Sequence, residues 1–315
     1  MDRLPLAVLE HVLLQDPLTV ADLARAVMAC RCLHECLPGV ANEHADQLGV
    51  RLPRSRISLT RWLSRATLEV AQMRYITREL EGAAHPPADL ERRKLISKIQ
   101  RMHPTVIEAQ LSALVRLMDS PVLDVVLDFL TESTTYEHSI QSIRPESLAP
   151  FAAPCVRLVE DAWRWGSESR QESSHSAHDS ATKALKVLVR VPADSIVPFA
   201  SKLAACLGRY ELMPYEGVLC SRKDVERIMI ILSNLPADVL APHAACIASW
   251  LSQPAAPWEA QSPVIAPTLK ALKRLPPVSL VAHLPLLEQP HGPPSKLRLV
   301  NKVRRAAGLP VLRAA

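Results

Sequence analysis

At 315 residues, with 48% apolar and 22% charged side chains, the chain can hold two small domains or one repeat array and has the balance of an ordinary globular protein. Eight glycines against 27 prolines, with only three Phe and four Tyr and no long alternating Val/Ile/Thr run, argue against a sheet; short helices punctuated by proline, an all-α fold, are expected. The net charge of +5 is spread along the chain with no basic stripe carrying stacking aromatics, which argues against nucleic acid as a partner.

No signal peptide opens the chain, and no apolar run approaches the ~18 residues of a membrane span. The seven cysteines are odd in number and sit mostly in helical apolar patterns, so reduced thiols and an intracellular site, cytoplasmic or nuclear, are expected.

In residues 3–37, Leu6, Leu9, Val12 and Leu13 form a helical stripe interrupted by Asp16 and Pro17. Thr19 and Asp22 have the spacing of a helix N-terminus, and the next helix carries Leu23, Val27 and Cys30. Pro38-Gly39 is expected to close this hairpin. Cys30, Cys32, His34 and Cys36 alternate, but on a helix Cys30/His34 and Cys32/Cys36 point in different directions and no second Cys pair follows. A structural zinc site draws its ligands from a turn and a second element, so no metal is assigned.

The same stretch resembles the F-box, a three-helix module of about this length. Leu4-Pro5 opens it, Asp22-Leu23 holds the middle and Ala29-Cys30-Arg31 with His34-Glu35 closes it; Ala29 and Leu33 stand where the family usually has Val and Trp. The resemblance implies docking onto a Skp-type adaptor of a cullin ubiquitin ligase through Leu4, Pro5, Leu9, Leu13, Leu23 and Val27. The alternative is a plain hairpin that caps a helical array.

A helical spacer, 41–103, is expected next. It holds a polar helix to Leu48, a basic connector (Arg51 to Arg56) and a helix from Ser58 to about Glu81 with Leu59, Leu63, Leu68, Ala71, Tyr75 and Leu80 at helical spacing. Gly82 and Pro86-Pro87 end that helix, and a basic helix from Glu91 to Met102 follows. Its Arg92, Arg93, Lys94, Lys98 and Arg101 read as a solvated face opposite Leu95, Ile96 and Ile99.

From residue 104 the chain repeats itself. Pro104, Pro145, Pro192, Pro236 and Pro276 fall in register within related segments, and Leu235 to Leu251 is the clearest copy. Each copy reads as a helix ended by the proline and a second helix, from about Ala237 to Ser252 in that copy, each pair too apolar to stand alone. Ser120 and Pro121 suit the start of another helix. A period in the low forties resembles HEAT (armadillo-type) arrays, which implies an α-solenoid over 104–293 with a capping helix and tail at 294–315.

Three insertions interrupt the array: a polar loop at 166–179, an irregular stretch at 208–217 and another at 252–263. Ser173, Ser174, His175, His178 and Asp179 in the first invite a hydrolytic triad, but a loop would not hold one rigidly. Trp163, Trp165, Tyr215 and Trp258 near the insertions are candidates for the array's partner surface, the alternative being that each Trp plugs a repeat junction. His243 and His283 alternate with Phe151 and Phe199 at one repeat position, which points to packing rather than ligation.

No phosphate loop, HExxH or nucleophile elbow occurs, so no enzyme activity and no cofactor are expected. The reading is a substrate-recognition adaptor: an F-box-like module at 1–40 and an array that captures a protein substrate. Its alternatives are a HEAT scaffold without a ligase role and a HEAT-like bilin lyase or hydroxylase.

Overall fold

A computed structural model of the chain describes residues 31–51, 59–85, 87–131, 143–168, 173–211, 222–251, 264–289 and 294–312. Every regular element among them is a helix, with no strand among the described residues, so the chain is all-α. It divides into two compact units, Met1–Ser147 and Leu148–Ala315.

In the first unit α1 spans Arg31–Leu48, α2 Leu59–Glu81, α3 Asp89–Gln100, α4 Pro104–Arg116 and α5 Leu123–Thr131. Pro38-Gly39 does not close a hairpin as expected: α1 runs straight through it, although Pro38 has no N–H to give the preceding turn. What holds α1 is its later face, where Ala41 and Ala45 are buried against Trp62, Ala66 and Val70 of α2 and Val106 of α4. Small residues there let the backbones come close. The helix stops at Gly49, whose φ of 68° admits glycine easily. Gly49 N donates to Asp46 O and Val50 N to Ala45 O, both at 2.9 Å, a Schellman end with Val50 folded back into the core.

On α2 the inward face is only in part the expected one: Leu80 is buried as expected, and the side chains of Leu59 and Leu63 lie outside the described residues. Leu68 (72% exposed), Ala71 and Tyr75 (64%) face solvent, while Trp62, Ala66, Val70, Met73, Ile76 and Leu80 are buried. Both stripes have helical spacing; the second wins because it combines the bulk of Trp62, Met73 and Ile76 with the small Ala66 that admits α1. On α3, Ile96 and Ile99 are buried as expected. Arg92, however, is no solvated charge: its Nε lies 3.3 Å from Oδ2 of Asp128 on α5. Every residue of α5 from Val125 to Leu130 is buried, so Asp128 needs that cation. Ser120 Oγ accepts from Val122 N at 3.3 Å, and the helix begins just beyond, at Leu123 rather than Pro121.

The second unit contains α6 (Ala152–Glu168), α7 (Ser173–Leu188), α8 (Ala193–Ile196), α9 (Ala200–Glu211), α10 (Arg222–Ser233), α11 (Ala237–Leu240), α12 (Ala244–Ser249), α13 (Ile265–Arg274), α14 (Leu284–Leu287) and α15 (Pro294–Ala306). The polar loop expected at 166–179 is mostly helix, shared between the end of α6 and the start of α7. Serines suit a helix start, and Asp179 pairs with Lys183 one turn on at 2.5 Å. Of the stretch at 208–217, residues up to Glu211 belong to α9; the remainder, and 252–263, lie outside the described residues.

The segments after Pro192, Pro236 and Pro276 fold alike. Each proline caps a helical start with nearly the same backbone (φ −56° to −58°, ψ 135° to 152°). A 3-10 turn follows, at Val197–Phe199, Ala241–His243 and within Pro277–His283, and then an α-helix. His243 (φ −105°, ψ 5°) and His283 (φ −104°, ψ 8°) have matching conformations seven residues past their prolines. The second helix expected from Ala237 to Ser252 is therefore broken in the middle and ends at Ser249. Pro198 and Pro242 lack the N–H an α-helix needs there. Ala282 holds the equivalent place in the third copy, and the 3-10 turn persists, so packing of the whole segment sets the shape together with the proline. Pro104 and Pro145 do not share this geometry: Pro104 is the first residue of α4, and Pro145 begins a 3-10 stretch.

The packing order is regular. The helices before the prolines stack in sequence, α7 on α10 and α10 on α13, while α6, α9, α12 and α14 stack in sequence beside them. Contacts recur one period apart. Lys202 Nζ meets Glu160 at 2.7 Å, Cys246 Sγ lies 3.5 Å from Ala204 O, and Arg274 Nη1 donates to Ser233 O at 3.2 Å. Just past the end of the last helix, α15, Gly308 (φ 70°) turns the chain, and Leu309 N donates to Arg304 O at 2.8 Å.

Candidate partner-binding surface

The six residues expected to dock an adaptor, Leu4, Pro5, Leu9, Leu13, Leu23 and Val27, lie outside the described residues, as do Tyr215 and Trp258. Trp165 is on α6 with its backbone described. Trp163 is not on a surface: it is 1% exposed, in one stripe with the buried Cys155, Val156, Val159 and Ala162 of α6, a helix that packs on α7 and α9. That spacing of three and four was visible in the sequence and marks core. Burial pushes the Cys155 thiol up to about 12, so it is a packing group and no nucleophile. Of the serine-histidine cluster, His178 turns its Nε2 toward Asp224 Oδ2 of a neighbouring helix at 3.5 Å and Asp179 pairs with Lys183, while the side chains of Ser173, Ser174 and His175 lie outside the described residues. No group of three or more His, Cys, Asp or Glu able to hold a metal occurs among the described residues.

Two polar joints fix the helices. In the second unit Asp224, fully buried in the first turn of α10, accepts from Thr182 Oγ1 of α7 at 3.1 Å and Arg227 Nη1 at 2.6 Å, beside His178. In the first, Glu69 of α2 accepts from Arg65 Nε at 2.5 Å and from the backbone N–H of His103 at 2.7 Å, tying α2 to the start of α4. There His103 caps α4: its Nδ1 lies 2.8 Å from Thr105 Oγ1 and 3.4 Å from Thr105 N, and Trp62 meets its ring edge-on.

Burial holds the His103 pKa below its ordinary 6.5; the nearby Glu69 opposes this shift and Arg65 adds to it. The unfolded chain then binds more protons than the folded one between the lowered value and 6.5. The contribution is whole above 6.5 and is lost as pH falls through that window. Equilibrium unfolding across pH 5–7 is expected to show this slope reduced in His103→Asn, which keeps a cap acceptor but does not titrate. His243, also lowered by burial, supplies part of what remains.

Two surface hollows are lined by described residues. In the first unit a groove of about 440 Å³ lies between α2 and α3, with Ile76, Leu80 and Leu95 below Tyr75. Its rim mixes Glu79 and Glu91 with Lys94 and Lys98, so it favours neither sign of charge. In the second unit a hollow of about 480 Å³ lies along α13, lined among the described residues by Ala266, Leu269, Lys270, Lys273 and Arg274. The charged residues among these are basic only. Lys270 Nζ donates to Asn234 of α10 at 2.8 Å and Arg274 to Ser233 O, and none of the three pairs with a carboxylate among the described residues.

No family model, curated protein or solved structure matches this chain. No described helix is long and apolar enough to cross a membrane. The sequence signal missed for the α13 hollow was a comparison between copies: six residues before the turn proline stand Lys186, Ile230 and Lys270, and two residues after it stand Asp194, Asp238 and Val278.

Proposed function

We propose that this chain is a non-catalytic protein-interaction adaptor. Residues 104–293 form a HEAT-like α-solenoid that captures a protein substrate, and residues 1–40 form an F-box-like module that docks a Skp-type adaptor of a cullin ubiquitin ligase. The observation that carries the array half is the shared backbone after Pro192, Pro236 and Pro276, with helices before and after each proline stacked in two sequential rows. Within the second unit, repeats that each touch the next present a continuous face, which suits the binding of an extended protein segment. The docking half is supported by Leu4-Pro5, Asp22-Leu23 and Ala29-Cys30-Arg31.

The test is capture of a purified Skp-type adaptor by the full chain. The wild type is expected to bind, and Leu4→Ala with Pro5→Ala to abolish binding, since a few buried apolar anchors carry most of such an interface. Undiminished binding by the double variant rejects the docking residues. No binding by the wild type removes the ligase role and leaves a HEAT-like scaffold.

A further inference from the structure

Of the three copies with shared geometry, the last has changed its charge. The helices α7, α10 and α13 stack in that order, so equivalent positions form ridges across them, neighbours lying ~10 Å apart. One ridge is Arg190, Asn234 and Arg274, two residues before each turn proline. Just past the proline, the first two copies expose the carboxylates of Asp194 and Asp238. The third copy exposes Val278 (72%) instead. It also adds Lys273, exposed, between Lys270 and Arg274. The acid is lost where the basic hollow lies.

We propose that this part of the second unit binds an acidic segment of a partner protein that also carries an apolar side chain. Lys270, Lys273 and Arg274 would pair with its carboxylates, and the exposed Val278 would meet its apolar group. Charge complementarity selects this occupant: α13 has no acidic residue, and the hollow's apolar floor of Ala266 and Leu269 gives nothing for a base to stack on. The groove between α2 and α3, with both signs on its rim, offers no such selection. The inference rests on the adaptor reading and names the chemistry of its substrate.

The test is selection of displayed random peptides on the full chain, repeated on Lys273→Glu with Val278→Asp. Both positions are exposed, and the second restores the acid of the other copies. Peptides rich in Asp and Glu with an apolar residue are expected. A synthetic copy should bind about tenfold more weakly to the double variant and weaken as salt is raised. Far-ultraviolet circular dichroism of the variant, matching wild type, establishes that the loss is local. Selected peptides without net negative charge, equal binding by the variant, or no selection at all overturns the proposal. So does a single-stranded oligonucleotide that outcompetes the peptide. Adaptor capture by the same variant is read separately, so failure here and failure of the ligase role are distinguishable.

Discussion

Replacing Asp224 by alanine is expected to destabilise the second unit by about 3–5 kcal/mol, the cost of breaking a buried ion pair from one side. Asp224 is fully buried and accepts from Thr182 Oγ1 and Arg227 Nη1, with His178 Nε2 3.5 Å away. Alanine leaves the Arg227 guanidinium, whose side chain is 20% exposed, turned toward a site with no counter-charge, and leaves the Thr182 hydroxyl without this acceptor. Because Thr182 and His178 lie on α7 and Asp224 on α10, the loss falls on the joint between stacked helices. Asp224→Asn keeps an acceptor and should lose less. Urea unfolding of the full chain, followed by circular dichroism, measures both; a loss under ~1 kcal/mol for the alanine variant would mean that the carboxylate is not holding the joint, since that is the range of a surface pair.

What the sequence makes legible divides along physical lines. Helix ends written by local chemistry are readable: Pro104 starts α4, Gly82 follows the end of α2, and Gly308 closes α15. Decisions made by packing are not. Pro38 is locally a breaker, yet α1 continues because Ala41 and Ala45 gain a partner in α2 that the local sequence does not reveal. On α2 two apolar stripes compete, and only the neighbouring helices decide that Trp62 and Met73 go in while Leu68 and Tyr75 stay out. The broken helix after Pro236 was written in Pro242, but Ala282 in the same place shows that the proline is only part of the cause.

The candidate surface hides for a related reason. Basic residues in the last turn of a helix are ordinary, because they complement the helix dipole, so Lys273 and Arg274 draw no notice within their own helix. They stand out only when the copies are laid in register and Asp194 and Asp238 are seen to become Val278. Arg92 carries the converse lesson. It sits among exposed basic residues of α3, but Asp128, buried on a helix 36 residues away in sequence, claims it.

Trp163→Ala is expected to destabilise the chain by about 3–5 kcal/mol, the usual cost of emptying a large aromatic site in a core. The side chain is 1% exposed and shares its stripe on α6 with Cys155, Val156 and Val159, all buried. Because α6 packs on α7 and α9, the cavity would open where these helices meet. Trp163 Nε1 has no hydrogen-bond acceptor among the described residues, so the side chain acts through its volume rather than through a polar contact. Trp163→Phe, which keeps a ring but loses the second, should therefore cost clearly less than alanine, within about 1–2 kcal/mol. The two substitutions decide between a core and a surface role. A surface tryptophan replaced by alanine would change stability by no more than about 0.5 kcal/mol and weaken partner binding instead. Urea unfolding of both variants, with peptide binding measured where they remain folded, separates the two. Retained stability in Trp163→Ala together with lost binding would move this residue back to the partner surface and reopen the packing of α6 against α7.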